Sequence, residues 1–169
     1  YLNQDDPVVG GNAPERIALR RAIAMGFSSD EFIKVFYGGQ GLPANQILPP
    51  GTSGHDPALA AKSLHDPAAA RALLDRFGYR DRDGDGFREA PDGKPLTLVQ
   101  SSTPDSDSRE ADTLWLKNMA AIGIKMTVNS QPFNDLLKRS TAGQLMMFNL
   151  GFRASEPSGF NSLMTLWGK

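Results

Sequence analysis

The chain has 169 residues, 40% of them hydrophobic and 22% charged, and its formal net charge is −1. This composition is typical of a globular domain with a real core, and such a charge gives no electrostatic reason to expect nucleic acid or an anionic membrane as a partner. The absence of cysteine excludes disulfides, thiol nucleophiles and thiolate metal sites, and no stretch reaches the roughly 20 apolar residues that a membrane span needs.

Sequence patterns predict three helices and one long loop in the first half of the chain. Apolar residues at helical spacing predict a helix over 13–25, and a capping box followed by an apolar run predicts another over 28–36. Residues 40–65 are rich in glycine and proline, which favours a long ordered loop. An aspartate N-cap, a proline at the first helical position and a following glycine predict a helix over 66–77.

The second half alternates between strand and helix patterns. Apolar–polar alternation predicts the strands, and helical periodicity predicts the helices. In chain order they are a strand at 96–100, a helix at 107–122, a strand at 124–128, a helix at 132–140 and a strand at 145–150. Because helices of this length connect parallel strands, the sequence predicts an α/β fold with helices packed on a small mixed or parallel sheet.

The segment before the first strand is acidic. If Asp81 is counted as position 1, carboxylates stand at positions 1, 3, 5, 9 and 12 and a glycine stands at position 6. These carboxylates belong to Asp81, Asp83, Asp85, Glu89 and Asp92. The spacing is close to that of the calcium loop, in which alternating oxygens surround a hard cation. Position 12 is an aspartate rather than the usual glutamate, however, and the chain continues into a strand instead of a helix.

Two interpretations of this 81–92 loop therefore stay open. In the first, the five carboxylates bind calcium, and the chain is a calcium-stabilised structural or interaction domain. In the second, the loop is a turn or hairpin without metal, whose aspartates bond their own backbone.

Five motifs occur in the order in which a known receptor family has them. They are Arg20-Arg-Ala-Ile-Ala-Met, Phe36-Tyr-Gly-Gly-Gln-Gly-Leu-Pro-Ala-Asn with Leu48-Pro-Pro-Gly, Asp66-Pro to Gly78-Tyr79, Leu96-Thr-Leu with Ile122-Gly-Ile124, and Gly151-Phe-Arg. In these motifs the sequence resembles the family 5 extracellular solute-binding proteins, the peptide- and nickel-type receptors of ABC importers. No nucleophile–base or metal-ligand spacing typical of an enzyme accompanies them.

The resemblance implies a periplasmic-binding-protein-like lobe of type II, the peptide-receptor class. Residues 1–169 would be a single domain, most of the C-terminal lobe of a two-lobed protein, with the N-terminal lobe before Tyr1 and a final segment after Lys169. The protein would be periplasmic or extracellular, would capture a small, oligopeptide-like solute by hinge closure, and would deliver it to the membrane subunits of an ABC permease. The resemblance implies neither catalysis nor a nucleic-acid partner, and the fragment is expected to be a monomer. Calcium at the 81–92 loop is the one cofactor that the sequence suggests.

The resemblance also indicates where the solute binds. The family loop after the third strand faces the cleft between the lobes, at the carboxyl ends of the strands. The expected ligand-binding residues are Asn3, beside a crossover between lobes, and Gly151, Phe152, Arg153, Ser155 and Glu156 of this loop. In the peptide receptors an aspartate of the loop binds the ligand's amino terminus, because a buried ammonium needs a paired carboxylate. Here Phe152 replaces a tryptophan and Ser155-Glu156 occupy the acidic stretch, which leaves room for another amphiphilic solute.

Overall fold

The computed structural model describes residues 1–43, 46, 48, 50–59 and 65–150. The chain divides into two compact units. One consists of Tyr1–Ser28 with His65–Leu150, and the other of Ser29–Leu64 with Gly151–Lys169. The first unit contains every strand that the described residues form.

The described residues form five α-helices, which confirm the five predicted ones. They are α1 (Pro14–Gly26), α2 (Ser29–Tyr37), α3 (Pro67–Arg76), α4 (Ser106–Ala121) and α5 (Phe133–Thr141). Of these helices, none is both long and apolar enough to cross a membrane. The helix α2 belongs to the second unit, in which the described part of the predicted 40–65 loop contains one 3₁₀ turn at Pro57–Leu59.

Local signals set the ends of α3 as the sequence predicts. The Asp66 carboxylate accepts a hydrogen bond from the backbone N–H of Ala69 at 2.8 Å, which caps the first turn. The helix ends where Gly78 adopts a φ of +84°, which lets the N–H of Tyr79 return to the carbonyl of Leu74 at 3.0 Å. This left-handed conformation is the reason that a glycine stands there.

Three strands form the sheet of the first unit. They are β1 (Thr97–Ser102), β2 (Lys125–Ser130) and β3 (Met147–Phe148), in the order β2-β1-β3. Strand β1 pairs in parallel with both neighbours, and Leu2 adds an antiparallel bridge to Met147 of β3. The predicted small sheet with parallel strands, connected by α4 and α5, is confirmed.

The third strand is shorter than its pattern predicts. Alternation extends over 145–150, but only Met147 and Phe148 pair with β1. The backbone N–H of Val99 donates to the Sδ atom of Met146, the residue before β3, at 3.2 Å. The ladder between β1 and β3 begins with the next residue of β1, Gln100.

Two apolar clusters cover the sheet. The main core includes the fully buried side chains of Leu19, Leu74, Leu98, Met119 and Ile124, which come from α1, α3, β1, α4 and the residue before β2. Leu136 of α5 packs instead with Leu145 and Phe148. The two crossover helices thus bury their apolar sides in different clusters, as expected for a parallel sheet with helices on both faces.

Candidate functional site

The carboxyl ends of the strands meet at one edge of the sheet, which we call the carboxyl edge. Ser102 at the end of β1 is in register with Ser130 at the end of β2, and β3 ends at Phe148. Because the strands are parallel, the connections that follow them all leave from this edge. Such edges are where α/β proteins bind ligands, so the carboxyl edge is the candidate functional site.

The turn between β1 and α4 is held by Asp105. Its carboxylate accepts the backbone N–H of Ser108 at 2.8 Å and the hydroxyl groups of Thr103 and Ser108. The hydrogen bond from Thr103, followed by those from Ser108, holds the pKa of Asp105 well below its usual range. This exposed acid therefore stays ionised at the N-terminus of α4, where the helix dipole favours negative charge.

A second carboxylate of this edge, that of Asp112 on α4, is buried. Only 8% of the residue is exposed, and its Oδ2 accepts the hydroxyl of Ser102 at 2.6 Å. Burial raises the pKa of Asp112, the bond from Ser102 works in the opposite direction, and the charge of Asp105 adds to the rise. Sequence reasoning missed this residue, although it shares the helical spacing of Trp115 and Met119, which lie on the packed side of α4.

The turn between β2 and α5 is hydrogen-bonded to the last residue of β1. The backbone N–H of Gln131 donates to the carbonyl of Ser102 at 2.9 Å. The side-chain Oε1 of Gln131 accepts from Nη1 of Arg139 at 2.8 Å, and its Nε2 donates to Oδ1 of Asn129 at 3.3 Å. The carboxyl edge is therefore a frame of mutually bonded polar groups.

One of the six predicted ligand-binding residues lies in the described part of the chain. Asn3 pairs with the residue before β3, since its backbone N–H donates to the carbonyl of Met146 at 3.0 Å. Its Nδ2 donates to the carbonyl of Gly143 at 2.8 Å, and its Oδ1 accepts the N–H of Asp5 at 3.0 Å. Asn3 thus lies where β3 begins, away from the carboxyl edge, with both polar atoms of its side chain engaged. The other five, Gly151, Phe152, Arg153, Ser155 and Glu156, lie outside the described residues.

The acidic 81–92 loop folds as the predicted hairpin. Glu89 forms antiparallel bridges with Arg80 and Pro95. The carboxylate of Asp81 accepts the N–H groups of Gly84 at 2.7 Å and Gly86 at 3.0 Å. Asx-type bonds of this kind stabilise a turn without any metal.

The structure brings together three of the five carboxylates predicted as calcium ligands. In the part of the chain that is described, oxygens of Asp81, Asp83 and Glu89 come within 4.8 Å of one another, and no other such group of three is found. Asp85 instead accepts the N–H of the residue two positions on at 2.8 Å. Asp92 forms an ion pair with Nζ of Lys94 at 2.7 Å, which lowers the pKa of Asp92. Calcium binding stays a prediction, with three carboxylates placed to contribute.

One family model matches the whole chain. It is that of the bacterial extracellular solute-binding proteins, family 5 Middle, and it covers residues 1–169.

Curated relatives extend the comparison. Di/tripeptide-binding protein 2 of Pseudomonas aeruginosa (strain UCBPP-PA14) is 32% identical over 146 residues, which are 84% of this chain and 25% of that protein. The dipeptide-binding protein of Escherichia coli (strain K12) is 22% identical over 151 residues, which are 89% of this chain and 26% of that protein. The chain thus spans about a quarter of the length of these relatives.

Solved structures share the fold. The periplasmic oligopeptide-binding protein of an oligopeptide ABC transporter from Thermotoga maritima, with bound mannohexaose, matches with a TM-score of 0.73 and 23% identity over 88% of this chain and 28% of that one. NikA from Brucella suis in complex with Fe(III)-EDTA matches with a TM-score of 0.70 and 24% identity over 96% of this chain and 32% of that one. The predicted periplasmic-binding-protein-like fold is therefore confirmed.

Proposed function

Because the chain belongs to the family 5 extracellular solute-binding proteins, we propose that it is most of the C-terminal lobe of a two-lobed receptor that serves an ABC importer. The match of the family model over residues 1–169 is the observation that carries the proposal. The family consists of solute-binding receptors and is not an enzyme family. The whole protein would be exported, would capture a solute outside the cytoplasm, and would pass it to the permease subunits in the membrane without any covalent step.

In this mechanism the carboxyl edge forms one wall of the cleft. Closure of a second lobe over it would sequester the solute, which stabilises the closed form only through its higher affinity for that form. The bonds of Ser102 to Asp112 and of Gln131 to Arg139 keep this wall in one arrangement. A wall that is ordered in advance reduces the entropy that binding has to remove.

A peptide-like solute is the proposed cargo. The two relatives described above, which are named for di- and tripeptides and for dipeptides, support this choice. A peptide carries an ammonium group that needs a carboxylate in a desolvated cleft, and Glu156 of the predicted binding loop is the candidate for that role. Mannohexaose and Fe(III)-EDTA, which are present in solved structures of the same fold, are the rival ligands to test.

Titration calorimetry tests the proposal on the full-length receptor and on residues 1–169 alone. We expect the full-length receptor to bind a di-, tri- or oligopeptide and the isolated chain to show no tight binding, because half of the cleft is missing. Glu156→Gln should weaken peptide binding by about tenfold or more. The matched control is Glu110→Gln on the exposed surface of α4, which should change nothing. Tight binding by residues 1–169 alone would refute the half-site account, and binding of the sugar or the chelate alone would refute the peptide.

A calcium-stabilised structural or interaction domain is the second candidate. The approach of Asp81, Asp83 and Glu89 favours it, whereas the backbone bonds that Asp81 accepts within its own loop weigh against it. Thermal melts with millimolar calcium and with a chelator separate the two cases, because an ion that binds only the folded state raises the melting temperature. A shift of several degrees that Asp83→Asn abolishes and Asp92→Asn preserves would favour calcium. The absence of any shift would remove this candidate.

A further inference from the structure

A groove of the first unit takes no part in the proposed solute cleft. It lies beside Pro95 and Leu96, which precede β1, and so at the end of the sheet opposite the carboxyl edge. Its volume is about 470 Å³, within the range of roughly 300–1,000 Å³ that small-molecule sites occupy. The segment at 7–8, the first turns of α1 and the hairpin at 90–95 form its walls.

The floor of the groove is apolar and fixed. Leu19, Tyr79 and Leu96 line it, and all three are buried members of the main core. Pro91 and Pro95 form part of the sides, and their rings restrict the backbone. A ligand would therefore meet a surface that already exists and would lose little affinity to ordering it.

Of the four charged side chains that line the groove, only one lacks a partner among the described residues. Lys94 and Asp92 form an ion pair at 2.7 Å. Arg16 donates to two backbone carbonyls of the 7–10 segment. The half-buried carboxylate of Glu15 has neither a hydrogen bond nor an ion pair within the described ranges.

The Tyr79 hydroxyl supplies the groove with a hydrogen-bond acceptor close to Glu15. It donates to the main-chain carbonyl of Glu15 at 3.1 Å, which leaves its oxygen lone pairs as acceptors. Burial, the largest cause, and the charges of Glu15 and Asp92 raise the pKa of Tyr79 to about 12, while Arg16 opposes the rise. Glu15 and Asp92 thus act on this oxygen in the same direction, and of these two carboxylates only that of Glu15 lacks a partner among the described residues.

We propose that this groove is a second ligand site, separate from the solute cleft, for a small organic ammonium ion with an apolar body. The Glu15 carboxylate pairs with the ammonium, and the Tyr79 oxygen accepts a second hydrogen bond from it. The apolar body packs on Leu96 and on the ring of Pro95. A desolvated ammonium needs such a partner, and a neutral or anionic analogue would leave the Glu15 carboxylate desolvated without one. The site does not depend on the proposed transport function.

Phenethylammonium is the probe, with 2-phenylethanol and 3-phenylpropionate as its neutral and anionic analogues. Calorimetric titration of the full-length receptor should show binding of phenethylammonium that is about tenfold or more tighter than that of either analogue. Glu15→Gln should weaken the ammonium by a similar factor, and Tyr79→Phe, which keeps the apolar floor, should weaken it about threefold to tenfold. Glu110→Gln, an exposed carboxylate outside the groove, is the matched control and should have no effect.

Three results would overturn the proposal in receptor variants whose melting temperatures show that they are folded. Equal affinity for the three probes would mean an apolar groove without charge selection. Unchanged binding in Glu15→Gln would place the probe elsewhere, for example in the solute cleft. No binding of phenethylammonium at millimolar concentration would leave the groove without the assigned ligand. Binding of the transported solute should be the same in all these variants, so a failure here is distinguishable from a failure of the proposed function.

Discussion

Two acidic regions of the first unit use their carboxylates in opposite ways. In the 81–92 hairpin the aspartates are exposed and accept N–H bonds from their own turn, as Asp81 does from Gly84 and Gly86. At the carboxyl edge Asp112 is buried and accepts its hydrogen bond from Ser102, on a different element. The number of acids in a region therefore says little about their contribution to the free energy of unfolding. That contribution depends on how deeply each carboxylate is buried and on how many hydrogen bonds it accepts. Substitutions should matter most where a buried group loses its partner.

A basic residue, Arg88, anchors the hairpin to the rest of the first unit. Removing the Arg88 side chain should lower the free energy of unfolding more than any other substitution proposed below. The Arg88 side chain is only 12% exposed and donates to the carbonyls of Ile122 at 3.1 Å and Tyr79 at 2.7 Å, besides an ion pair with Asp75 at 2.5 Å. Arg88→Ala leaves two carbonyls without these donors, so we expect the free energy of unfolding to fall by about 3 kcal/mol in urea denaturation.

Arg76→Ala is the control for this first prediction. The Arg76 guanidinium lies 5.9 Å from the centre of the Phe77 ring, an exposed contact that should contribute about 0.5 kcal/mol. If Arg88→Ala lowered the free energy of unfolding no more than Arg76→Ala does, the hairpin would be held by contacts other than those of Arg88.

The next largest effect should come from the hydroxyl that supports Asp112. Ser102→Ala leaves a buried carboxylate without this donor, and we expect a loss of about 2 kcal/mol in the free energy of unfolding. Ser130→Ala is the matched control, because Ser130 is the exposed register partner on β2. Combining Ser102→Ala with Asp112→Asn should recover part of the loss, since the charge that lacked a donor is gone. An equal loss in both serine variants would contradict the account of a dependent buried acid.

Removing the charge of Asp112 should produce a smaller effect that depends on pH. The pKa of Asp112 is raised above its ordinary value of 3.8 in the folded state. The stabilisation that protonated Asp112 gives to the folded state is therefore complete below pH 3.8 and is lost as the pH rises through the folded-state pKa. Asparagine still accepts the Ser102 hydroxyl, so Asp112→Asn should stabilise the protein at pH 7, by less than Ser102→Ala destabilises it. In urea titrations at several pH values, the difference should shrink as the pH falls and vanish well below 3.8.

Asp105, at the same edge of the sheet, should change the stability of the protein with pH in the opposite direction. Its pKa is lowered, so its contribution is present above the ordinary value of 3.8 and is lost as the pH falls through the lower folded-state pKa. Asp105→Asn should therefore destabilise the protein at pH 7, and the difference should shrink in strong acid. A common direction for the two variants would show that burial does not separate these two carboxylates.

The contrast also shows what the sequence could predict. Element order, helix caps and the sheet type follow from local periodicity and from capping residues, which is why they were predictable. The spacing of Asp112 from Trp115 and Met119 indicates the packed side of α4. Its partner Ser102 could not be predicted, because this hydrogen bond joins two elements whose relative placement only the fold determines. In the acidic loop, spacing predicts five ligands, but only three-dimensional turns decide that Asp85 and Asp92 bond elsewhere. The length of β3 likewise depends on which of its residues pair with β1, and the alternation of the local sequence does not record this pairing.

The smallest expected effect concerns the exposed acids of the 81–92 hairpin. Asp83 is exposed and accepts one N–H bond, from Asp85 at 3.1 Å, which an asparagine oxygen can accept equally well. In calcium-free buffer Asp83→Asn should therefore change the free energy of unfolding by less than about 0.5 kcal/mol. A loss above about 1 kcal/mol, measured by the same urea denaturation, would mean that the hairpin acids have tertiary importance that exposure and local bonding do not explain. With the predicted result, the hairpin keeps its shape through Arg88 and its glycine turns, and its carboxylates remain available to an ion without being needed for the fold.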